Sequence, residues 1–257
     1  MKRLLTAAAL VPIIVYVVLF ASDWIFLAVL TASALLSYRE YNGIAAAYGF
    51  GAPGPMGYGF GLLLLAWSGD AWLALVAAAL VSLALAMRAG DLVKTLPRAA
   101  LLAFGVVYVF GCWKCAVPLR EANRHWLMFA LLVNWVGDAG AYYVGKAFGR
   151  HKMAPRVSPQ KSWEGAAASV ATSVLIAGGY LMYFVAGIGA PRAIAFAAAA
   201  NVAGQLGDLA ESAMKRGAGV KDSGAILPGH GGFLDRVDST LFSLPVVYAL
   251  VTCLKPM

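Results

Sequence analysis

Charge is scarce in this chain of 257 residues. Asp, Glu, Lys and Arg together make up 12% of it, about half the share usual in a soluble domain. With 61% hydrophobic residues and a mean hydropathy of +0.77, that shortage excludes an ordinary soluble fold. Cysteine is scarce too. Three residues, Cys112, Cys115 and Cys253, are an odd number and make no disulfide framework. Cys112 and Cys115 form a C-x-x-C, but inside an apolar run, without a thioredoxin-like context or further ligands, so they read as inert buried thiols. No soluble basic domain carries the net charge of +8. The Lys and Arg sit in short loops between apolar runs, which excludes nucleic acid as partner and points to anionic lipid headgroups and an anionic substrate. No internal repeat is present.

What the sequence has in abundance is apolar runs. They occupy positions 4–20, a stretch from 24, and 57–67, 72–87, 99–117, 126–143, 166–186, 193–212 and 240–254. The fold class is therefore all-α, a polytopic integral membrane helical bundle of about nine transmembrane helices. The chain forms one membrane unit, with N-terminal transmembrane helices in 1–125 and the polar chemistry in 126–257. Met1-Lys2-Arg3 and the run behind it imitate a secretory signal, but a second apolar segment follows at once and no small-x-small site closes the first, so the reading is a retained helix. Glycine and proline from Gly49 to Gly57 break the chain between the second and third runs. With the N-terminus inside, Arg88, Lys94, Arg98, Lys161 and Lys215 fall on inner segments. Arg120, Arg124, Arg192 and Lys255 fall on outer ones, and Lys114 lies inside a span. The positive-inside rule thus turns the loops around Lys161 and Asp222 to the cytoplasm.

Polar residues concentrate near the end of the chain. The stretch from Asp208 to Asp238 holds five of the twelve acids, Asp208, Glu211, Asp222, Asp235 and Asp238, among Lys215, Arg216, Lys221, His230 and Arg236. Gly229, Gly231 and Gly232 surround His230, and glycine permits the close backbone approach that phosphates require. Upstream, Asn201, Gln205, Asp208 and Ser212 recur at i, i+4, i+7 and i+11, one polar stripe on a helix. An acid inside a spanning helix is a functional-site hypothesis by default, which selects Asp208, whereas Glu211 reads as a helix end surfacing into water. Asn134, Asp138 and Tyr142 share a face of the sixth span in the same way.

The spacing S-x-x-K-R-x4-K-D-x-G-x-x-L-P-G-H-G-G-x-x-D-R-x-D from Ser212 to Asp238 resembles that of the phosphatidate cytidylyltransferases, also called CDP-diacylglycerol synthases. A second block, Ser158-Pro159-Gln160-Lys161-Ser162-Trp163-Glu164-Gly165, is similar to the S-P-K-K-T-W-E-G of that family, with Gln160 in place of its first lysine. The resemblance implies transfer of the cytidylyl group of CTP to phosphatidate, giving CDP-diacylglycerol and pyrophosphate. It implies Asp235, Asp238, Lys221 and His230 as catalytic residues, and Asp208 joins them from the polar stripe. Ser158, Lys161, Glu164, Ser212, Lys215, Arg216, Asp222, Gly231, Gly232 and Arg236 are implied on the substrates, and Asp138 is added to them from the polar face of the sixth span. Asp222 reads equally as a loop or lysine-pairing residue. Arg150, Lys152 and Arg156 read as lipid-facing charges.

Two polyanions meet in that reaction, so the cofactor expected is Mg2+ on Asp208 and Asp235, with Asp238 and Glu211 as reserves. The resemblance leaves open a monovalent cation such as K+ and a homodimer. Because a phosphate monoester is largely ionised near neutral pH, His230 reads as a phosphate contact ahead of a general base. The bacterial inner membrane is the expected location, with the active site facing the cytoplasm. The alternatives are a CTP-dependent polyprenol kinase or other lipid cytidylyltransferase and, from another class, an ion-coupled transporter using Asp138 and Asp208.

Overall fold

The structure, a computed structural model, describes residues 2–69, 71–87, 90–226 and 231–254. The expected apolar runs fall, in order, on helices α1 (Lys2–Leu19), α2 (Asp23–Ala47), α3 (Pro55–Ala66), α4 (Ala71–Ala86), α5 (Leu92–Ala122), α6 (Arg124–Phe148), α7 (Trp163–Phe184), α8 (Ala190–Gly217) and α9 (Leu234–Leu254). Among the described residues α5, α6, α7 and α8 are long and apolar enough to cross a membrane, and shorter apolar helices accompany them. At 12 residues, α3 rises only about 18 Å, short of a hydrocarbon core of roughly 30 Å. Large apolar side chains stay exposed along these helices, among them Leu63, Leu80, Leu175 and Leu206, as lipid-facing surfaces require. The chain is an integral membrane protein.

Local chemistry sets the helix ends. α3 opens on Gly54, at φ 73°, with Pro55 in its first turn, where a missing N–H costs nothing. Asn123 caps α6 by accepting from His125 N at 2.9 Å. Ser162 caps α7 by accepting from Gly165 N at 3.2 Å. Both α5 and α7 contain a π-helical turn, at Val106–Gly111 and Ser173–Ala177. The apolar part of α9 begins at Thr240, behind a polar first turn.

One element lies outside the expected all-α plan. Strands β1 (Lys152–Ala154) and β2 (Ser158–Ser162) pair antiparallel in the basic segment expected as a loop. Its side chains do not alternate between apolar and polar, so only backbone pairing makes the hairpin, and periodicity has nothing to detect.

Two compact units divide the chain, one of residues 1–23, 115–213 and 237–257, the other of residues 24–114 and 214–236. In the first, polar side chains join helices where apolar contact gives no preference over lipid. Asn134 donates to Ser243 Oγ at 2.8 Å. Ser173 Oγ donates to Val133 O at 2.8 Å. Arg120, almost fully buried, donates to Val18 O at 3.1 Å, to Ala21 O and to Asp23, satisfying carbonyls at the end of α1 that no further turn could take. The second unit has an aromatic core. Tyr38 packs on Tyr41 and Phe110, and Tyr41 Oη donates to Leu101 O at 2.8 Å. Lys114, the cation inside a span, donates to Leu64 O at 2.7 Å and to Trp67 O, capping the end of α3. Cys112 and Cys115 are half-buried rather than buried.

Candidate functional site

In the first unit the hairpin and two helices gather the chemistry. β2 projects Lys161, whose Nζ lies 2.7 Å from Asp208 Oδ2. The two residues come from the separate polar blocks of the sequence. The stripe on α8 divides into two functions. Asn201, buried, donates to Ser169 Oγ at 3.0 Å and Ser173 Oγ at 2.9 Å, and Gln205 donates to Asn201 Oδ1 at 2.6 Å. That half ties α8 to α7. The other half turns toward Lys161: Asp208 accepts it, and Ser212 Oγ approaches Asp208 Oδ1 at 3.4 Å.

Asp238, buried, accepts Ser239 N on Oδ1 at 2.6 Å and faces the charges of Asp208, Glu211 and Asp138. Glu211 is not the surfacing residue expected from sequence. Its exposure is 0%, whereas the Asp208 side chain is 34% exposed. The two acids stand three positions apart, neighbours on the helix surface, and only the segments packed around them distinguish one from the other. Tyr142, on the expected α6 face, is exposed, as is Asp138.

The rest of the second block is placed by the hairpin. Ser158 stands in register with Ala154. Glu164 accepts the His151 ring Nδ1 on Oε1 at 2.6 Å and the His151 amide at 3.2 Å. With Trp163 N donating to His151 O at 2.9 Å, that pair closes the foot of the hairpin onto α7.

The second unit orders the glycine-rich stretch. Asp235 accepts Lys215 on Oδ1, and Oδ2 accepts Ser223 N at 3.0 Å and Gly232 N at 2.8 Å. Both side chains of the Lys215–Asp235 pair are less than a tenth exposed. Burial works to raise Asp235, but the Lys215 ammonium and the two N–H groups outweigh it and hold the carboxyl below its ordinary range. Gly231 stands at φ 77°, a left-handed conformation suited to glycine, and a Cβ there would press on Asp235 Oδ2. Arg216 Nη1 donates to Val220 O at 3.0 Å, closing the turn after α8. Lys221, Asp222 and Arg236 are exposed. His230 lies outside the described residues.

Sequence reasoning missed Glu40. This residue of α2 is 4% exposed. Its Oε2 accepts Ser223 Oγ at 2.7 Å and Leu234 N at 2.7 Å, and its Oε1 accepts Phe233 N at 2.9 Å. The available signal was an acid in the apolar second run, which in a membrane helix asks for a partner.

The cytidylyltransferase family profile matches residues 1–254. The chain belongs to the cytidylyltransferase family. A phosphatidate cytidylyltransferase of Bacillus subtilis strain 168 is 38% identical over 162 residues, 61% of this chain and 60% of that protein. Phosphatidate cytidylyltransferases of Staphylococcus saprophyticus and Staphylococcus aureus strain COL are each 39% identical over 153 residues, 60% of this chain and 59% of theirs. The matched part thus covers about three-fifths of each of these relatives.

Mg2+, the cofactor expected from the sequence, has to fit the residues present. Among the described residues no three His, Cys, Asp or Glu side chains are gathered as ligands of one ion. Magnesium does not need three, because it keeps several waters and takes one or two carboxylates plus substrate phosphates. Asp238, buried and facing three other acids, sits where a cation beyond Lys161 relieves like-charge repulsion in a low dielectric. The donor set of the first unit fits.

Proposed function

We propose that this protein transfers the cytidylyl group of CTP to phosphatidate, giving CDP-diacylglycerol and pyrophosphate, at the cytoplasmic face of a bacterial inner membrane. The observation that carries this reading is the Lys161–Asp208 contact, which sets the lysine of the Ser158–Gly165 block against the acid of the α8 stripe. The names of the relatives support it.

In the reaction a phosphate oxygen of phosphatidate attacks the α-phosphorus of CTP. The bond from that phosphorus to the β-phosphate oxygen breaks, and pyrophosphate leaves. No covalent enzyme intermediate is needed, so the protein's part is positioning and charge. Lys161 supplies a cation beside Asp208 where the triphosphate would gather negative charge. The family resemblance assigns Lys221 and Arg236, both exposed, to phosphate oxygens, and Gly231 permits close backbone approach, whereas Gly232 N is already given to Asp235. Mg2+, when bound, offsets charge on the triphosphate and on the leaving pyrophosphate. Asp208 is its proposed ligand. Asp235, expected from sequence as the partner of Asp208, is engaged by Lys215 and two amides, so Asp238 takes that place in the proposal. A substrate with diacyl tails explains why polar loops are mounted on membrane helices.

The test is incubation of purified protein with labelled CTP, phosphatidate and Mg2+. Lipid-linked CMP with release of pyrophosphate is expected. Phosphorylated lipid with CDP, or no CTP turnover at all, overturns the reading.

A further inference from the structure

We infer that Glu40, outside both motif blocks, is the positioning residue that ties together the two ends of the loop, at Ser223–Gly224 and at Gly232–Leu234. Its carboxylate collects three donors from the two ends of that loop: the Ser223 hydroxyl, Phe233 N and Leu234 N. Phe233 immediately precedes α9 and Leu234 opens it, where amides have no partner within the helix, and a carboxylate there also meets the positive end of the helix dipole. Ser223 is the shared pivot. Its hydroxyl goes to Glu40, its amide goes to Asp235 Oδ2 at 3.0 Å, and its Oγ receives Asp235 N at 3.3 Å.

The same carboxylate explains two glycines of the motif. A Cβ on Gly224 would overlap Glu40, with Oε1, Cδ and Cγ as its three nearest atoms. A Cβ on Gly232 would overlap Ser223 Oγ and Glu40 Oε2. Neither glycine has a positive φ, so at these positions it is space that excludes a side chain. Glu40 occupies that space. A residue about 190 positions upstream in sequence thus dictates small residues inside the motif, and through the loop it sets where Lys221, Asp222 and Gly231 stand. The catalytic consequence rests on the proposed cytidylyl transfer. The control of loop geometry does not.

Two measurements separate these parts. Hydrogen–deuterium exchange across residues 222–235 reads the loop directly. Glu40→Gln retains an acceptor but turns an NH2 toward a donor, so exchange there is expected to quicken about tenfold or more, with the melting temperature of the whole protein nearly unchanged. In the CTP assay the same variant is expected to raise the KM for CTP while retaining kcat, the pattern of lost binding contacts. A fall in kcat at unchanged KM would mean only less folded protein and would overturn the positioning role.

A double-mutant cycle supplies the second measurement. Gly224→Ala is expected to quicken loop exchange in the native background and to add nothing in Glu40→Ala, where the obstructing carboxylate is gone. Equal effects in both backgrounds, or native exchange in Glu40→Gln, would overturn the inference. Absence of cytidylyl transfer by the native protein would remove the proposed function and leave the exchange result to decide the role of Glu40 alone.

Discussion

Lys161 Nζ stands 2.7 Å from Asp208 Oδ2, so a strand residue in a short hairpin meets an acid on a long membrane helix. In the same unit Asp238 faces Asp208, Glu211 and Asp138. A lysine beside that many acids neutralises one of them, and the polyanionic substrates proposed above would need the remainder offset by a further cation.

Replacing Asp208 by Asn preserves shape and removes charge. Turnover of CTP is expected to fall at least about a hundredfold, the scale of losing one electrostatic contact to a transition state, with detergent-solubilised protein still folded. Asp238→Asn should shift the Mg2+ dependence to higher concentration, and Glu121→Gln, on an exposed residue, serves as control. Near-normal turnover of Asp208→Asn at ordinary Mg2+ would remove it from the site.

The Lys215–Asp235 pair is nearly buried on both sides, and removing one partner of such a pair costs about 3–5 kcal/mol. Lys215→Ala is therefore expected to destabilise the second unit by roughly that amount, read by chemical denaturation or by proteolysis within 214–236. The carboxyl of Asp235 is held below its ordinary range, so its contribution is present above the unfolded carboxylate value of about 3.9. It is lost as pH falls through the lower folded value. Acid unfolding of the native protein should show that loss, and Asp235→Asn should lack it.

Arg120 satisfies two carbonyls near the end of α1 and the Asp23 carboxylate. Arg120→Ala leaves those acceptors without their donor and is expected to cost about 3 kcal/mol. Differential scanning fluorimetry should show the drop in melting temperature, with Asp23→Asn losing less because its side chain is largely exposed. An unchanged melting temperature in Arg120→Ala would make this contact incidental.

Orientation follows from the distribution of Lys and Arg among loops. In a variant without Cys112, Cys115 and Cys253, single cysteines at 161 and 222 should be shielded from a membrane-impermeant reagent in intact cells. One at 124 should be labelled. Labelling at 222 from outside would invert the topology.

The order of the helices was legible because apolar runs are a local property, and each run found its helix. The polar stripe on α8 was legible for the same reason, since i, i+4 spacing forces a shared face whatever lies opposite. Lys161 and Asp208 could be named from their motifs but not joined, because no rule of spacing relates residues on different elements.

The hairpin at 152–162 was illegible, as backbone pairing leaves no trace in side-chain pattern. Glu211 and Asp208 show the limit most clearly. Both are acids on one helix, yet one is fully buried and the other reaches solvent. The sequence by itself determined that this is a helical membrane protein with two polar blocks, because hydropathy and helical period act over a few residues. Only the tertiary structure decided which acid is packed, that Lys215 holds Asp235, and that Glu40 occupies the space beside Gly224. Burial and hydrogen-bond partnership depend on whichever distant segment the fold brings within a few ångströms.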